Sequence, residues 1–260
     1  MRAMSVRVIA RLDVKGPNVV RGVNLEGLRV VGHPGEMAQR YASAGIDEII
    51  FIDTVATLYG RNKLCDVIRD TAQKLFIPLA VGGGVRALQD VEELLNAGAD
   101  KITINSAALE RPRLIGEIAD AFGSQCVVCS IEAKQRDGQH WEAYATNGRD
   151  PTGRDAILWA RECYERGAGE LLVVSIDRDG TRKGGDAELL NQIAEAVPLP
   201  IIGSGGPGTP QHVVDMIQRG GVQAVALGSL LHFNLASVAV VKAALSDANI
   251  ACRVDDLYQR

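Results

Sequence analysis

The chain has 260 residues, a length that suits one compact domain and lies close to the roughly 250 of a typical α/β barrel. Hydrophobic residues make up 47% and charged residues 23%, which supports a sizeable core and excludes intrinsic disorder and collagen-like structure. Lys and Arg number 28 against 32 Asp and Glu, a net charge of −4 with no basic block, so the footprint of a nucleic-acid or anionic-membrane binder is missing and small anionic ligands would need local sites.

From the N-terminus, Met1 to Ala10 carries Arg2 and Arg7 in a mixed stretch, and no apolar run reaches the about 18 residues of a membrane span. A soluble cytoplasmic protein is expected. β-branched runs predict strands at Val6–Asp13, Glu48–Asp53, Pro78–Gly82, Lys101–Asn105, Cys126–Glu132, Glu170–Asp177, Pro200–Ser204 and Ala224–Gly228. Amphipathic stretches near 35–44, 62–75, 87–97, 111–121, 154–166, 187–196, 210–219 and 235–246 predict the helices between and after them. Strands alternating with helices give a parallel sheet, and eight β-α units favour a closed (β/α)8 TIM barrel over an open sheet.

The five cysteines, Cys65, Cys126, Cys129, Cys163 and Cys252, are scattered through apolar segments and read as buried structural residues rather than a disulfide framework. Cys126 and Cys129, three apart on one predicted strand, would face opposite ways, which excludes a shared metal. The histidines His33, His140, His212 and His232 show no ligand spacing, so neither metal nor cofactor is expected.

An internal repeat divides the chain. Pro78-Leu-Ala-Val-Gly-Gly-Gly84 aligns with Pro200-Ile-Ile-Gly-Ser-Gly-Gly206, Asp53 with Asp177, and Leu12-Asp-Val-Lys15 with Ile131-Glu-Ala-Lys134, at offsets near 120 residues. This pattern predicts one domain of two half-barrels, about 1–123 and 124–260. Barrel active sites lie at the C-terminal strand ends, where Asp13, Asp53, Asn105, Glu132, Asp177 and Ser204 stand. Asp13 on strand 1 and Glu132 on strand 5 oppose each other across the barrel, an arrangement suited to paired acid and base work; capping or pairing with Lys15 and Lys134 is the alternative. Gly82 to Gly84 with Asn105 and Ser106, and Ser204 to Gly206 with Gly228 and Ser229, form two equivalent turns able to cradle phosphate, or simply tight turns. Their duplication points to a ligand with a phosphate at each end. Arg7, Glu48, Lys101 and Glu170 stand at the opposite strand ends, either as a charge plug or as a functional floor.

The stretches Ile9-Ala-Arg-Leu-Asp-Val-Lys15, Val81-Gly-Gly-Gly84, Ala99-Asp-Lys-Ile-Thr-Ile-Asn105, Ser175-Ile-Asp-Arg-Asp-Gly180 and Ile202-Gly-Ser-Gly-Gly206 resemble the cyclase subunit of imidazole glycerol phosphate synthase over nearly the whole chain. The resemblance implies a barrel that takes ammonia from a glutaminase partner. It would convert a bisphosphorylated ribulosyl-formimino aminoimidazole carboxamide ribonucleotide to imidazole glycerol phosphate and the aminoimidazole carboxamide ribonucleotide. It implies Asp13 as general acid and Glu132, where the family has aspartate, as the second carboxylate. Phosphate binding falls to Gly82, Gly83, Asn105, Asp179, Gly180, Ser204, Gly205, Gly206, Gly228 and Ser229. Arg7, Glu48, Lys101 and Glu170 match an ammonia gate, and Asp100 a partner-facing acid. Three positions depart from the pattern: Glu132 itself; Arg11, a pocket modifier where the family has a small residue, whose charge calls for Glu132 or Asp13 as partner; and Arg21, replacing a loop lysine. These departures keep two other functions open: a paralogue that passes glutaminase-derived ammonia to another acceptor, such as a surface-polysaccharide sugar, and a silent barrel that activates a glutaminase.

Overall fold

Runs of Val, Ile and Leu buried on both faces build the centre of the fold, as expected of parallel strands covered by helices. The computed structural model describes residues 5–55, 65–138 and 140–253. Strand β1 (Arg7–Lys15) opens into a hairpin, β2 (Asn18–Val23) and β3 (Glu26–Gly32), ahead of helix α1 (Pro34–Ser43). Next come β4 (Glu48–Asp53), α2 (Cys65–Ala72), β5 (Leu79–Gly82), α3 (Leu88–Asn96), β6 (Lys101–Ile104), a short α4 (Ser106–Glu110) and α5 (Arg113–Phe122). Strand β7 (Val127–Gln135) opens into a second hairpin, β8 (Trp141–Ala145) and β9 (Asp150–Asp155), ahead of α6 (Ala156–Glu165). The chain ends with β10 (Glu170–Ser175), α7 (Ala187–Ala196), β11 (Ile201–Ser204), α8 (Pro210–Gly220), β12 (Ala224–Leu227), α9 (Ser229–His232) and α10 (Val238–Asp247).

Eight strands, β1, β4, β5, β6, β7, β10, β11 and β12, pair in parallel in that order, and β12 returns to β1 to close the barrel. Alternate residues divide two cores. Val8, Ala10 and Leu12 of β1 face the helices, whereas Ile9, Ile50, Val128, Leu172 and Ile202 fill the interior. The helices start on side-chain caps in several places: Asp155 accepts the Ile157 and Leu158 amides, and Asp186 the Leu189 amide.

The eight strands lie where the sequence predicts them, with local corrections. The two hairpins were not anticipated. The helix expected near 154–166 starts only at Ala156, after β9, and that near 235–246 is preceded by α9. The segment 111–121 is α5, with the separate α4 before it; of the helix expected at 62–75, residues 62–64 lie outside the described residues. Cys126 falls in a 3₁₀ turn ahead of β7, so it joins Cys129 in the outer core instead of facing the opposite way. All five cysteines are free; Cys126, Cys129 and Cys163 are buried, while Cys65 and Cys252 are half-buried.

Candidate active site

Alternation along the strands sorts inward-facing polar groups to the two ends of the barrel. At the N-terminal end, Arg7 reaches Glu48 at 2.5 Å and also pairs with Glu170. Lys101 Nζ lies 3.2 Å from Glu48 Oε1 and 2.8 Å from Glu170 Oε2. The four residues therefore form one closed ring of alternating charge across the barrel floor. Asp100, beside it and exposed, uses one oxygen to accept the Leu79 amide at 2.8 Å.

At the C-terminal end, Asp13 is buried with a guanidinium on each oxygen. Arg11 Nε donates to Oδ1 at 2.9 Å and Arg21 Nη1 to Oδ2 at 2.6 Å. The partner of Arg11 is thus Asp13, two residues along the same face of β1, and its Nη1 also reaches Ser204 Oγ at 3.4 Å. Arg21, from β2, donates further to Asp179 at 2.5 Å and to Ser229 at 3.1 Å.

These bonds determine the state of the second glycine turn. Arg21 Cζ lies 3.0 Å from where a Gly228 Cβ would stand, and only about 10 Å³ remains among Gly180, Gly205, Gly206, Gly228 and Ser229. Gly206, at φ +106°, approaches the Gly184 carbonyl so closely that a Cβ would sit 2.0 Å from it, so this turn requires glycine.

The first glycine turn borders an open cavity of about 460 Å³ that holds Gly83, Gly84, Asn105, Ser106, Ser130 and Glu132. Gly83, at φ +100°, would place a Cβ 2.4 Å from the Asp53 carbonyl. Gly82, expected here, ends β5 and does not line the cavity. Sequence reasoning missed Thr103, Ser130 and Asn147, which also line the cavity. Two were accessible by strand parity, since Thr103 precedes Asn105 by two residues and Ser130 precedes Glu132 by two. Thr103 Oγ1, Asn105 Oδ1 and Asn147 Oδ1 are buried without a hydrogen-bond partner among the described residues, a deficit that a ligand or solvent donor in the cavity would relieve. Asp177, a strand-end candidate, instead accepts the Gln135 amide, and Asp179 takes its place in the site.

A model described as histidine biosynthesis protein matches residues 7–237. Proteins called imidazole glycerol phosphate synthase subunit HisF align almost end to end: that of Myxococcus xanthus is 50% identical over 95% of this chain and 97% of its own length. The protein of that name from Legionella pneumophila is 55% identical over 78% and 96%, and that from Bacillus cereus 47% over 96% and 100%. The chain belongs to the HisF family.

Within this HisF-family barrel the two mouth carboxylates sit in opposite electrostatic environments. Burial alone would raise the Asp13 carboxyl, but the Arg11 and Arg21 charges outweigh it and hold Asp13 below the usual range. An Asp13 held in this way is ionised, with both oxygens engaged by guanidinium groups. Glu132 accepts only the Gly148 amide, at 2.8 Å, among the described residues. Burial pushes it up to about 7, with Arg11 and that amide offsetting part of the rise. Behind Arg11, His232 Nε2 donates to the Arg11 carbonyl at 3.0 Å and Nδ1 accepts from Tyr41 Oη at 2.7 Å. A carbonyl can only accept, so the Nε2–H tautomer is fixed; burial and the nearby Arg21 charge lower His232 to about 4.

Proposed function

We propose that this chain is the cyclase subunit of an imidazole glycerol phosphate synthase in histidine biosynthesis, working in the cytoplasm as a single domain of two half-barrels. It closes the imidazole ring of the bisphosphorylated ribulosyl-formimino aminoimidazole carboxamide ribonucleotide with ammonia and releases imidazole glycerol phosphate and the aminoimidazole carboxamide ribonucleotide. The observation that carries the reading is identity near one half to HisF proteins across 95% of the chain. Asp13 and Glu132, facing each other over the mouth from β1 and β7, supply a base and an acid. The turn at Gly83 and Asn105 takes one phosphate; that at Gly205 and Ser229 takes the other once Arg21 has moved aside.

The relatives' names describe one subunit of a synthase. The partner proposed here is a glutaminase docked on the floor, with Asp100 facing it and the ring of Arg7, Glu48, Lys101 and Glu170 gating ammonia into the barrel. Among the described residues no helix is long and apolar enough to cross a membrane. Conversion of the formimino ribulosyl nucleotide with ammonium salt tests the chemistry. Replacing Lys101 with Met should change the ratio of glutamine-dependent to ammonium-dependent turnover; an unchanged ratio with a glutaminase bound would make the floor purely structural. Arg11 and Arg21 crowding the mouth favours a second reading, a paralogue that passes the ammonia to another acceptor. Failure of the wild type on the nucleotide would select it.

A further inference from the structure

We infer that Arg11 is a positioning residue that divides proton work between the two mouth carboxylates, binding Asp13 so that it acts as proton acceptor and leaving Glu132 as proton donor. The inference rests on the cyclase reading for the reaction served, but its geometry stands independently.

Both oxygens of Asp13 face guanidinium donors, Nε of Arg11 at 2.9 Å and Nη1 of Arg21 at 2.6 Å. A proton added to either oxygen would meet an N–H that cannot be given up, because arginine stays charged. Glu132 makes no such pair among the described residues: Oε2 accepts the Gly148 amide at 2.8 Å, and the carboxyl borders the cavity beside Ser130, Thr103 and Asn147. The charges that act on Glu132 are Arg11 and Asp13 of β1 and Asp179 after β10, with Asp53, Arg86 and Glu110 around the same cavity. Arg11 hydrogen-bonds Asp13 and acts on Glu132 only through its field, so the same cation holds one group ionised and merely moderates the other. Removing a cation at such range raises a carboxyl.

Besides Asp13, Arg11 is held at two points: its carbonyl accepts His232 Nε2, whose imidazole Tyr41 orients, and its Nη1 reaches Ser204 Oγ. The resulting separation, Asp13 lowered and Glu132 raised to about 7, is the pattern by which one site runs acid and base chemistry near neutrality.

The test is a ¹³C-carboxyl NMR titration of the full chain as wild type, Arg11→Met and Arg11→Lys, with Asp13→Asn and Glu132→Gln used to assign the signals. It is paired with the pH profile of ammonium-dependent turnover. The wild type should show Glu132 titrating near 7 and Asp13 ionised well into acid. Arg11→Met should move both midpoints upward by about one unit or more, carry the alkaline limb of kcat with Glu132, and be partly reversed in Arg11→Lys, which restores charge without the fork. A residue that merely supports the fold would lower kcat at every pH and leave the limbs in place. Unchanged midpoints in a folded Arg11→Met, or Glu132 titrating like a free glutamate, would overturn the proposal. If Arg11→Met does not fold, Arg11→Lys decides, since Asp13 must then titrate higher than in the wild type. Midpoints that move as expected without nucleotide turnover by the wild type would remove the cyclase reading and retain Arg11 as the residue that sets the pair.

Discussion

The two glycine turns at the barrel mouth, alike in sequence, are in opposite states. The turn at Gly83 borders an open cavity of about 460 Å³, and the turn at Gly205 is filled by a guanidinium with about 10 Å³ to spare. The hairpins account for the difference. Asp13 pairs with Val20 on β2 and Glu132 with Tyr144 on β8, so the next residue along each returning strand holds an equivalent place. In the first hairpin that residue is Arg21; in the second it is Ala145. Each hairpin lies beside the turn of its neighbouring strands, as the Asn105 side chain donating to the Tyr144 carbonyl shows for the second. A repeated scaffold thus places two alike glycine turns at the mouth, and one side chain fills the second of them.

The largest effect should fall on stability. Replacing Asp13 with Ala strands Arg11 and Arg21 around a missing carboxylate, and denaturant unfolding should show a loss of about 3–5 kcal/mol, typical of a broken buried ion pair. Glu132→Gln removes a carboxyl that burial has raised and that no guanidinium pairs among the described residues, and should cost about 1 kcal/mol or less. Equal losses at the two positions would erase the contrast between the locked and the loose side of the mouth.

A smaller effect concerns anions. Sulfate titrated into crystals of the wild type should occupy the turn at Gly83 and Asn105 at a concentration about tenfold or more below that needed at Gly205 and Ser229, each factor of ten standing for about 1.4 kcal/mol of guanidinium displacement. Arg21→Ala should open the second cavity in the crystal structure, and Ala145→Arg should shrink the first. Equal filling of both turns in the wild type would mean that Arg21 is no obstacle.

In the wild type the smallest effect is the net pH slope, because two opposed groups largely cancel. Glu132 is raised on folding, to about 7 from an ordinary 4.5, so the folded state binds its proton more tightly and stability falls as pH rises across that interval. His232 is lowered, to about 4 from 6.5, so the folded state releases its proton and stability rises over 4 to 6.5. The two oppose each other in the wild type. Glu132→Gln should therefore expose a net rise in stability from pH 4.5 to 6.5, measured by urea midpoints; an unchanged slope would mean that Glu132 is not raised. Asp13 acts below this window, since its lowered carboxyl adds stability that is lost only as pH falls below about 4.

The barrel strands were legible because their apolar β-branched runs and repeated glycines are local signals, and strand position together with parity placed Arg7 and Lys101 at one end of the interior and Asp13 and Asn105 at the other. The hairpins were not. Strand β3 is largely exposed, and β9 contains Pro151 and Gly153, both poor strand formers. Arg21 could be flagged as unusual from sequence, but its position over Gly228 depends on a contact with a residue more than 200 positions away. The locked state of Asp13 was hidden for the same reason, as one of its two guanidinium partners comes from the unforeseen hairpin.

Turnover of the formimino ribulosyl nucleotide with ammonium salt, compared among wild type, Asp13→Asn, Glu132→Gln, and the double change of Arg11→Cys with Glu132→Asp, decides whether the mouth carboxylates close the imidazole ring. The wild type should make imidazole glycerol phosphate, and each single carboxylate change should lose about a hundredfold or more, the scale of one acid or base. A wild type that makes no product, with activity appearing only in the double change, would contradict the cyclase reading.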